Sequence, residues 1–418
     1  VGFVVSPNAK SWVKTDPDNH FPIQNLPFGV ADLGDESQSL VTRIGDFAVD
    51  IIALADEGLI DCEALEEFEG LAEIGKSAFV ELRRSLYDLF REGNPKLRDN
   101  SKLKKQVMLP ADDLRMLLPM EVPAFVDFYS GINHASNVGK MFRPDMPPLL
   151  PNYRHLPVGY NGRASSIVPS EVPILRPKGQ TKAPDAELPT FGPTKELDFE
   201  LELGFFLIEG NEFGEMIPVD AAENYIAGLV LVNDWSARDV QRWEYQPLGP
   251  FLAKSFATSV SPWLVTMDAL EPFRIAGPKQ DPEPLPHLKG SKSAHFDIVL
   301  EVSLKTPRMK VPQVISRTNS KELYWSFAQQ LAHQTSNGTP TEPGDLYASG
   351  TISGTAEDSF GSMLELAWRG SKPIVMEETG EERRFIEDGD IVFLSGYCQG
   401  KGYRVGFGSL FNEVVAAL

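Results

Sequence analysis

The segment Leu197-Asp198-Phe199-Glu200-Leu201-Glu202-Leu203-Gly204-Phe205-Phe206 alternates apolar and acidic residues with period two, the pattern of a β-strand whose two faces meet different surroundings. Read so, Asp198, Glu200 and Glu202 share one face, with successive side chains roughly 7 Å apart along the strand. A solvated acidic face is one reading of such a strand. The next strand opens another. Gly228-Leu229-Val230-Leu231-Val232-Asn233-Asp234 is a continuous apolar run that ends in an acid, the mark of a buried strand. A hard divalent cation needs several oxygen ligands on rigid supports, and Glu200, Glu202 and Asp234 can supply them.

The rest of the composition narrows the class. A length of 418 residues leaves room for two or three domains at a prior of about 150 residues each. At 42% hydrophobic and 23% charged, the composition is that of a globular protein rather than a disordered one. A net charge of −20 repels nucleic acid and anionic membrane, so neither is an expected partner. An acidic substrate must then meet a locally positive site. Cys62 and Cys398 stand far apart, which argues against a disulfide framework or a structural zinc and fits a reducing cytoplasm. No apolar run reaches the length of about 18 residues that a membrane span requires.

Residues 1–120 differ from the remainder. Leu40 to Ile51 reads as short strands around a turn at Gly45-Asp46, and helical pattern follows from about Asp61 to Glu92, ended by Gly93-Asn94-Pro95. Phe79, Leu82, Leu86, Leu89 and Phe90 recur at helical spacing, with Arg83, Arg84 and Asp88 opposite. Glu63, Glu66, Glu67 and Glu69 form a solvated face, and Lys102, Lys104 and Lys105 a similar rim. Pro110 to Pro119 marks a boundary. Beyond it the chain is proline-rich and strand-like, with runs at 296–304, 363–368 and 390–394. Two capping boxes are expected, Asp220 with Glu223 and Asn319 with Glu322. Many strands with few helices argue for a sandwich, roll or barrel.

Further candidates for chemistry follow the acidic strands. After Asp234 comes a short helical pattern in which Arg238, Gln241 and Tyr245 share one face, either a donor-rich wall beside a cation or a solvated surface. Lys254 can offset surplus ligand charge, since three or four carboxylates leave a divalent ion site negative. Among six histidines, His134 stands out, in a loop-like setting after Asp127 and Tyr129.

Tyr160-Asn161-Gly162-Arg163-Ala164-Ser165-Ser166, Asn233-Asp234-Trp235-Ser236-Ala237-Arg238-Asp239, the stretch Pro247 to Phe256 and Ala348-Ser349-Gly350-Thr351-Ile352-Ser353-Gly354 resemble the fumarylacetoacetase family. The similarity runs over nearly the whole chain, from Phe21-Pro22-Ile23-Gln24 to Gly402-Tyr403-Arg404-Val405. It implies a mainly β chain with some α. A small SH3-like barrel domain with helices would span 1–118, and a large mixed β-roll catalytic domain 119–418, paired into a homodimer. It implies calcium or magnesium on Asp127, Glu200, Glu202 and Asp234, and a second cation at Thr258 with Lys254. His134 would be the catalytic base with Glu365 as its partner, and Arg238, Gln241 and Lys254 the oxyanion and leaving-group contacts. Tyr129, Arg143, Tyr160, Gln241, Tyr245 and Thr351 match substrate contacts. The family's reaction splits a carbon–carbon bond of 4-fumarylacetoacetate to fumarate and acetoacetate, the last step of tyrosine and phenylalanine catabolism. Asn161 departs from the histidine that the family carries there, which touches none of the catalytic positions. The rivals are an acylpyruvate hydrolase or β-keto-acid decarboxylase of the same superfamily, which typically lack the long N-terminal domain, and a non-catalytic metal-stabilised binding module.

Overall fold

The computed structural model describes residues 2–34, 37–65 and 69–418. Strands dominate and helices are short, so the mainly β reading holds. Of the acidic cluster, Glu66 and Glu67 lie outside the described residues, and Glu63 and Glu69 are exposed as a solvated face requires.

In the N-terminal part, Gln38–Ile44 and Phe47–Asp50 pair around Gly45-Asp46, where Gly45 takes a φ of +58° that a side chain would resist. They belong to a five-stranded antiparallel sheet in the order Met108–Pro110, Phe47–Asp50, Gln38–Ile44, Phe28–Asp32, Arg115–Met116. Returning the last strand to the first gives the order of an SH3-like barrel. The helix Gly75–Phe90 is shorter than the expected 61–92, because the chain turns at Gly75 (φ +70°) and Glu63–Leu65 makes only a single 3-10 turn. Its apolar stripe is buried, but so is Arg83. The guanidinium turns inward to donate to the carbonyls of Gln24 (2.8 Å), Asn25 (3.2 Å) and Phe3, so it fastens the N-terminal segment instead of facing solvent.

The larger part is built on an eight-stranded mixed sheet. Its path runs Gly159–Asn161, Phe125–Phe128, Leu346–Ala348, Leu201–Leu207, Ile226–Asn233, Thr258–Val260, Ile167–Pro169, with Val265–Thr266 also paired to Ile226–Asn233. The two central strands are covered on both faces, which is why residues 228–232 show no polar alternation. Leu203, Phe205, Leu229 and Leu231 pack with Leu300, Val302, Leu394 and Phe407 of a second, five-stranded sheet. On the opposite face, Phe206, Val230, Val232 and Leu346 pack with Phe28, Leu40, Phe79 and Leu86 of the N-terminal part. By period two, Glu202 lies on the same face as Phe206, and Thr258 on that of Val260. The acids therefore emerge at one end of the face that the N-terminal part covers at the other.

Three local expectations change. Residues 363–368 are no strand: Ser362 caps a helical turn, Met363–Leu366, by accepting the Glu365 N–H. Asp220 and Glu223 make no capping box, since the 3-10 turn Ala222–Tyr225 starts after Ala221 without a side-chain cap. Asn319 caps only the 3-10 turn Ser320–Glu322, and the box that starts the helix Phe327–Thr335 is Ser326 with Gln329.

Asp345, at the entrance of the strand Leu346–Ala348, is buried, and burial raises its carboxyl to about 6. Its unfolded value is about 3.9, so the folded state holds the proton more tightly and stability falls as pH rises from about 4 to about 6. Asp345→Asn, whose amide oxygen can keep the Glu342 N–H contact, should therefore gain on the parent protein between pH 4 and pH 7. Paired thermal melts should show a relative gain of about 1 °C or more, and parallel curves would count against the charged group.

Candidate active site

The cluster begins with an interruption in the acidic strand. The Glu200 N–H donates to Asn233 Oδ1 (3.0 Å) and its carbonyl accepts from the Asp234 N–H (3.3 Å). Leu197–Asp198 consequently pairs with Ser236–Ala237, separate from the main strand Leu201–Leu207. The shared face expected for three acids thus breaks: Glu200 and Glu202 stay together, and Asp198 turns away to bond Arg238 Nε (2.8 Å). Asp127 comes from the strand Phe125–Phe128 and not from a loop, opposite Tyr160 on one side and Ala348 on the other. Asp127, Glu200, Glu202 and Asp234 are all buried, and each offers an oxygen within 4.8 Å of the others.

Two cations partly neutralise the four carboxylates. Lys254 Nζ donates to Glu200 Oε2 (2.6 Å) and Asp234 Oδ2 (2.7 Å), and Arg238 Nη1 pairs with Glu200 Oε1 at 2.7 Å. Burial alone would raise Glu200, but Lys254 and Arg238 hold it below the usual carboxylate range. Asp127 and Glu202 show the reverse: burial, and then their carboxylate neighbours, push both well above that range. Asp127 Oδ1 and Glu202 Oε1 have no hydrogen-bond partner. Buried polar atoms are rarely left so, and an all-oxygen set with surplus negative charge fits a divalent cation of the calcium or magnesium kind. Asp234 is held by Tyr160 (2.7 Å) and Thr258 (2.7 Å), so Tyr160 also orients an acid of the cluster.

The second constellation joins two helices. His134 lies in the first turn of the helix Ile132–Phe142, not in a loop, and its Nδ1 is 2.6 Å from Glu365 Oε2. Glu365 also accepts from Asn137 (2.9 Å), Ser353 (2.9 Å) and Ser362 (2.7 Å). Against burial, which raises it, His134, Asn137 and Ser362 keep the carboxyl low and therefore ionised. Engaging Nδ1 leaves Nε2 as the working nitrogen of a residue that lines the cavity. The chain closes tightly here: a Cβ on Gly131 would meet the Thr351 carbonyl at 2.1 Å, and Gly350 takes a φ of +79°.

A cavity of about 320 Å³ unites both constellations. Asp127, His134, Glu200, Arg238 and Lys254 reach it, and so do Tyr129, Arg143, Tyr160, Gln241, Tyr245 and Thr351. Glu202, Asp234 and Glu365 stand behind this lining, and Thr258 borders a smaller cavity beside Asp234 and Lys254. Arg238 and Gln241 share a face of the helix Arg238–Glu244, with Nη1 donating to Gln241 Oε1 (3.2 Å). Arg143 Nε, Arg238 Nη2 and Thr351 Oγ1 are buried without partners. Burial, with Glu200 and Glu365 nearby, raises Tyr129 and keeps its phenol a donor. Val138, Phe142, Val158 and Leu248 supply the apolar wall.

Sequence reasoning left Asn137, Ser353 and Ser362 without roles and gave Asp198 to the wrong neighbours. Only Ser362 had a readable signal, since Ser-x-x-Glu before an apolar run marks a helix start.

Comparison with known proteins places the whole chain in one family. The family described as fumarylacetoacetate (FAA) hydrolase C-terminal matches residues 124–415, and fumarylacetoacetase N-terminal matches 24–119. The fumarylacetoacetase of Dictyostelium discoideum is 47% identical over 420 residues, covering 98% of each chain. That of Rattus norvegicus is 47% identical over 419 residues, covering 98% of this chain and 99% of the relative. A solved fumarylacetoacetate hydrolase from psychrophilic Exiguobacterium antarcticum shares the fold at TM-score 0.51 and 18% identity, covering 94% of this chain and 99% of that one. With both parts matched in order and nearly half of all positions identical across the full length, the chain belongs to the fumarylacetoacetase family.

Proposed function

We propose that this chain hydrolyses 4-fumarylacetoacetate to fumarate and acetoacetate, the step that closes tyrosine and phenylalanine breakdown. The observation that carries the reading is the convergence on one cavity of a hydrogen-bonded His–Glu pair, an all-carboxylate cluster and unpaired cationic donors. The two domains are taken as 1–118 and 119–418, supported by separate sheets and by family matches that end at 119 and resume at 124.

The chemistry must add water to a ketone and expel a carbanion. His134 Nε2 takes a proton from water as the oxygen attacks the carbonyl carbon of the fumaryl group, and Glu365 steadies the imidazolium that forms. Arg238 Nη2, Gln241 and Lys254 face the resulting oxyanion, the kind of aimed donor whose loss typically costs about 10²–10³ in kcat. The carbon–carbon bond then breaks, the electron pair leaves as the enolate of acetoacetate, and the imidazolium returns its proton to the leaving carbon. Asp127, Glu200, Glu202 and Asp234 would hold a divalent cation, which would supply Lewis-acid charge for the developing enolate. Arg143, Tyr129, Tyr160, Gln241, Tyr245 and Thr351 orient the substrate, whose acid groups find positive charge here despite the acidic surface.

The same reading carries calcium or magnesium as the cation, a second cation beside Thr258 and Lys254, a homodimer and a cytoplasmic setting. Cys62 and Cys398 are both free, in keeping with that compartment, and no described helix is long and apolar enough to cross a membrane. Loss of the substrate's ultraviolet absorbance, with fumarate appearing, tests the reaction in calcium, magnesium and chelator. Folded protein without turnover under either metal would shift the assignment to an acylpyruvate hydrolase of the same superfamily.

A further inference from the structure

Asp198 is the member of the acidic segment that the carboxylate cluster does not use. Its fully buried carboxylate accepts three N–H donors: Oδ2 takes Arg238 Nε (2.8 Å) and Leu364 N (3.0 Å), and Oδ1 takes Met363 N (2.7 Å). The two backbone donors belong to the turn Met363–Leu366 that carries Glu365. One carboxylate therefore ties the guanidinium of one catalytic group to the backbone that holds the partner of the other.

We propose that Asp198 is a positioning residue for the hydrolysis, fixing Arg238 and the His134–Glu365 pair as a single rigid unit. The inference rests on the roles given to those residues above. Arg238 is held at Nε by Asp198 and at Nη1 by Glu200 and Gln241, which leaves Nη2 buried, unpaired and unable to swing away. On the other side, Ser362 both accepts the Glu365 N–H (3.3 Å) and donates to Glu365 Oε2 (2.7 Å). The aim of Glu365 at His134 thus depends on where Asp198 holds that turn. An amide cannot replace the carboxylate. It offers one oxygen and one NH2, so in either orientation at least one of the three N–H groups faces another donor.

The test uses the full chain with its cation. Asp198→Asn should lose about 10²-fold in kcat, the scale of a group displaced by about 1 Å, while KM stays within about threefold. Proton NMR gives a readout that mere destabilisation does not move. The proton in the 2.6 Å His134–Glu365 hydrogen bond gives a low-field resonance that should shift or broaden in Asp198→Asn. It should stay in place in Asp390→Asn, which breaks the buried pair with Arg383 elsewhere in the fold. If Asp198→Asn does not accumulate as folded protein, Arg238→Lys removes the same Nε–H contact and must move the same resonance. Folded Asp198→Asn with parental kcat, or an unmoved resonance in the folded variants, overturns the proposal. A parent enzyme without turnover would overturn the assigned reaction instead.

Discussion

His134→Ala should lose about 10²–10⁴ in kcat, the range that a positioned general base supplies, while the protein stays folded. The side chain is buried, but its one strong contact is the 2.6 Å bond to Glu365, so truncation leaves that carboxylate with three neutral donors, Asn137, Ser353 and Ser362. Those donors are why the variant should survive: they replace much of the stabilisation that the imidazole gave the buried charge. None of the four clustered acids contacts His134 through a hydrogen bond, so cation-induced stabilisation should also persist. Turnover assays beside thermal melts check both halves. Parental kcat in His134→Ala would remove this residue from the reaction. A collapsed melting curve would mean that the pair is architectural.

The second large effect concerns the carboxylate cluster. Chelation should abolish turnover, and adding calcium or magnesium to stripped protein should raise its melting temperature. Saturation at about 100-fold over Kd is worth about 2.7 kcal/mol, which appears as a shift of a few degrees. Glu202→Gln makes the sharper test, because Glu202 Oε2 accepts the Gly350 N–H (3.0 Å) while Oε1 has no partner. The amide oxygen can keep the Gly350 contact while one buried, raised carboxyl is removed. Cation-free Glu202→Gln should therefore melt no lower than the cation-free parent, yet respond far less to added cation. An undiminished response would take Glu202 out of the ligand set.

Much of this site was legible, for uneven reasons. Period-two alternation located Glu200 and Glu202, and the apolar run to Asp234 announced a strand covered on both faces. Asp127 and Glu365 became visible only through family likeness. No local pattern says that a strand at 125–128 and one at 346–348 lie side by side, or that helices from distant segments bring His134 against Glu365. Asp198 shows the limit of periodicity. The pattern is unbroken in sequence, but Asn233 captures the Glu200 N–H and ends the ladder there. Likewise, helical spacing put Arg83 outside, and only the bare carbonyls of a remote segment explain why it lies inside.

The separation between His134 and Glu365 has a kinetic consequence. The two residues stand 231 positions apart, and the parallel pairing beneath them joins strands almost as distant. Long-range pairings form late, because loop closure opposes them until neighbouring contacts are in place. During synthesis or refolding, the N-terminal hairpins and the helix of His134 can form while Glu365 is still unplaced. Catalytic competence is thus among the last properties the chain acquires, and recovered activity reports a completed fold more strictly than recovered secondary structure does.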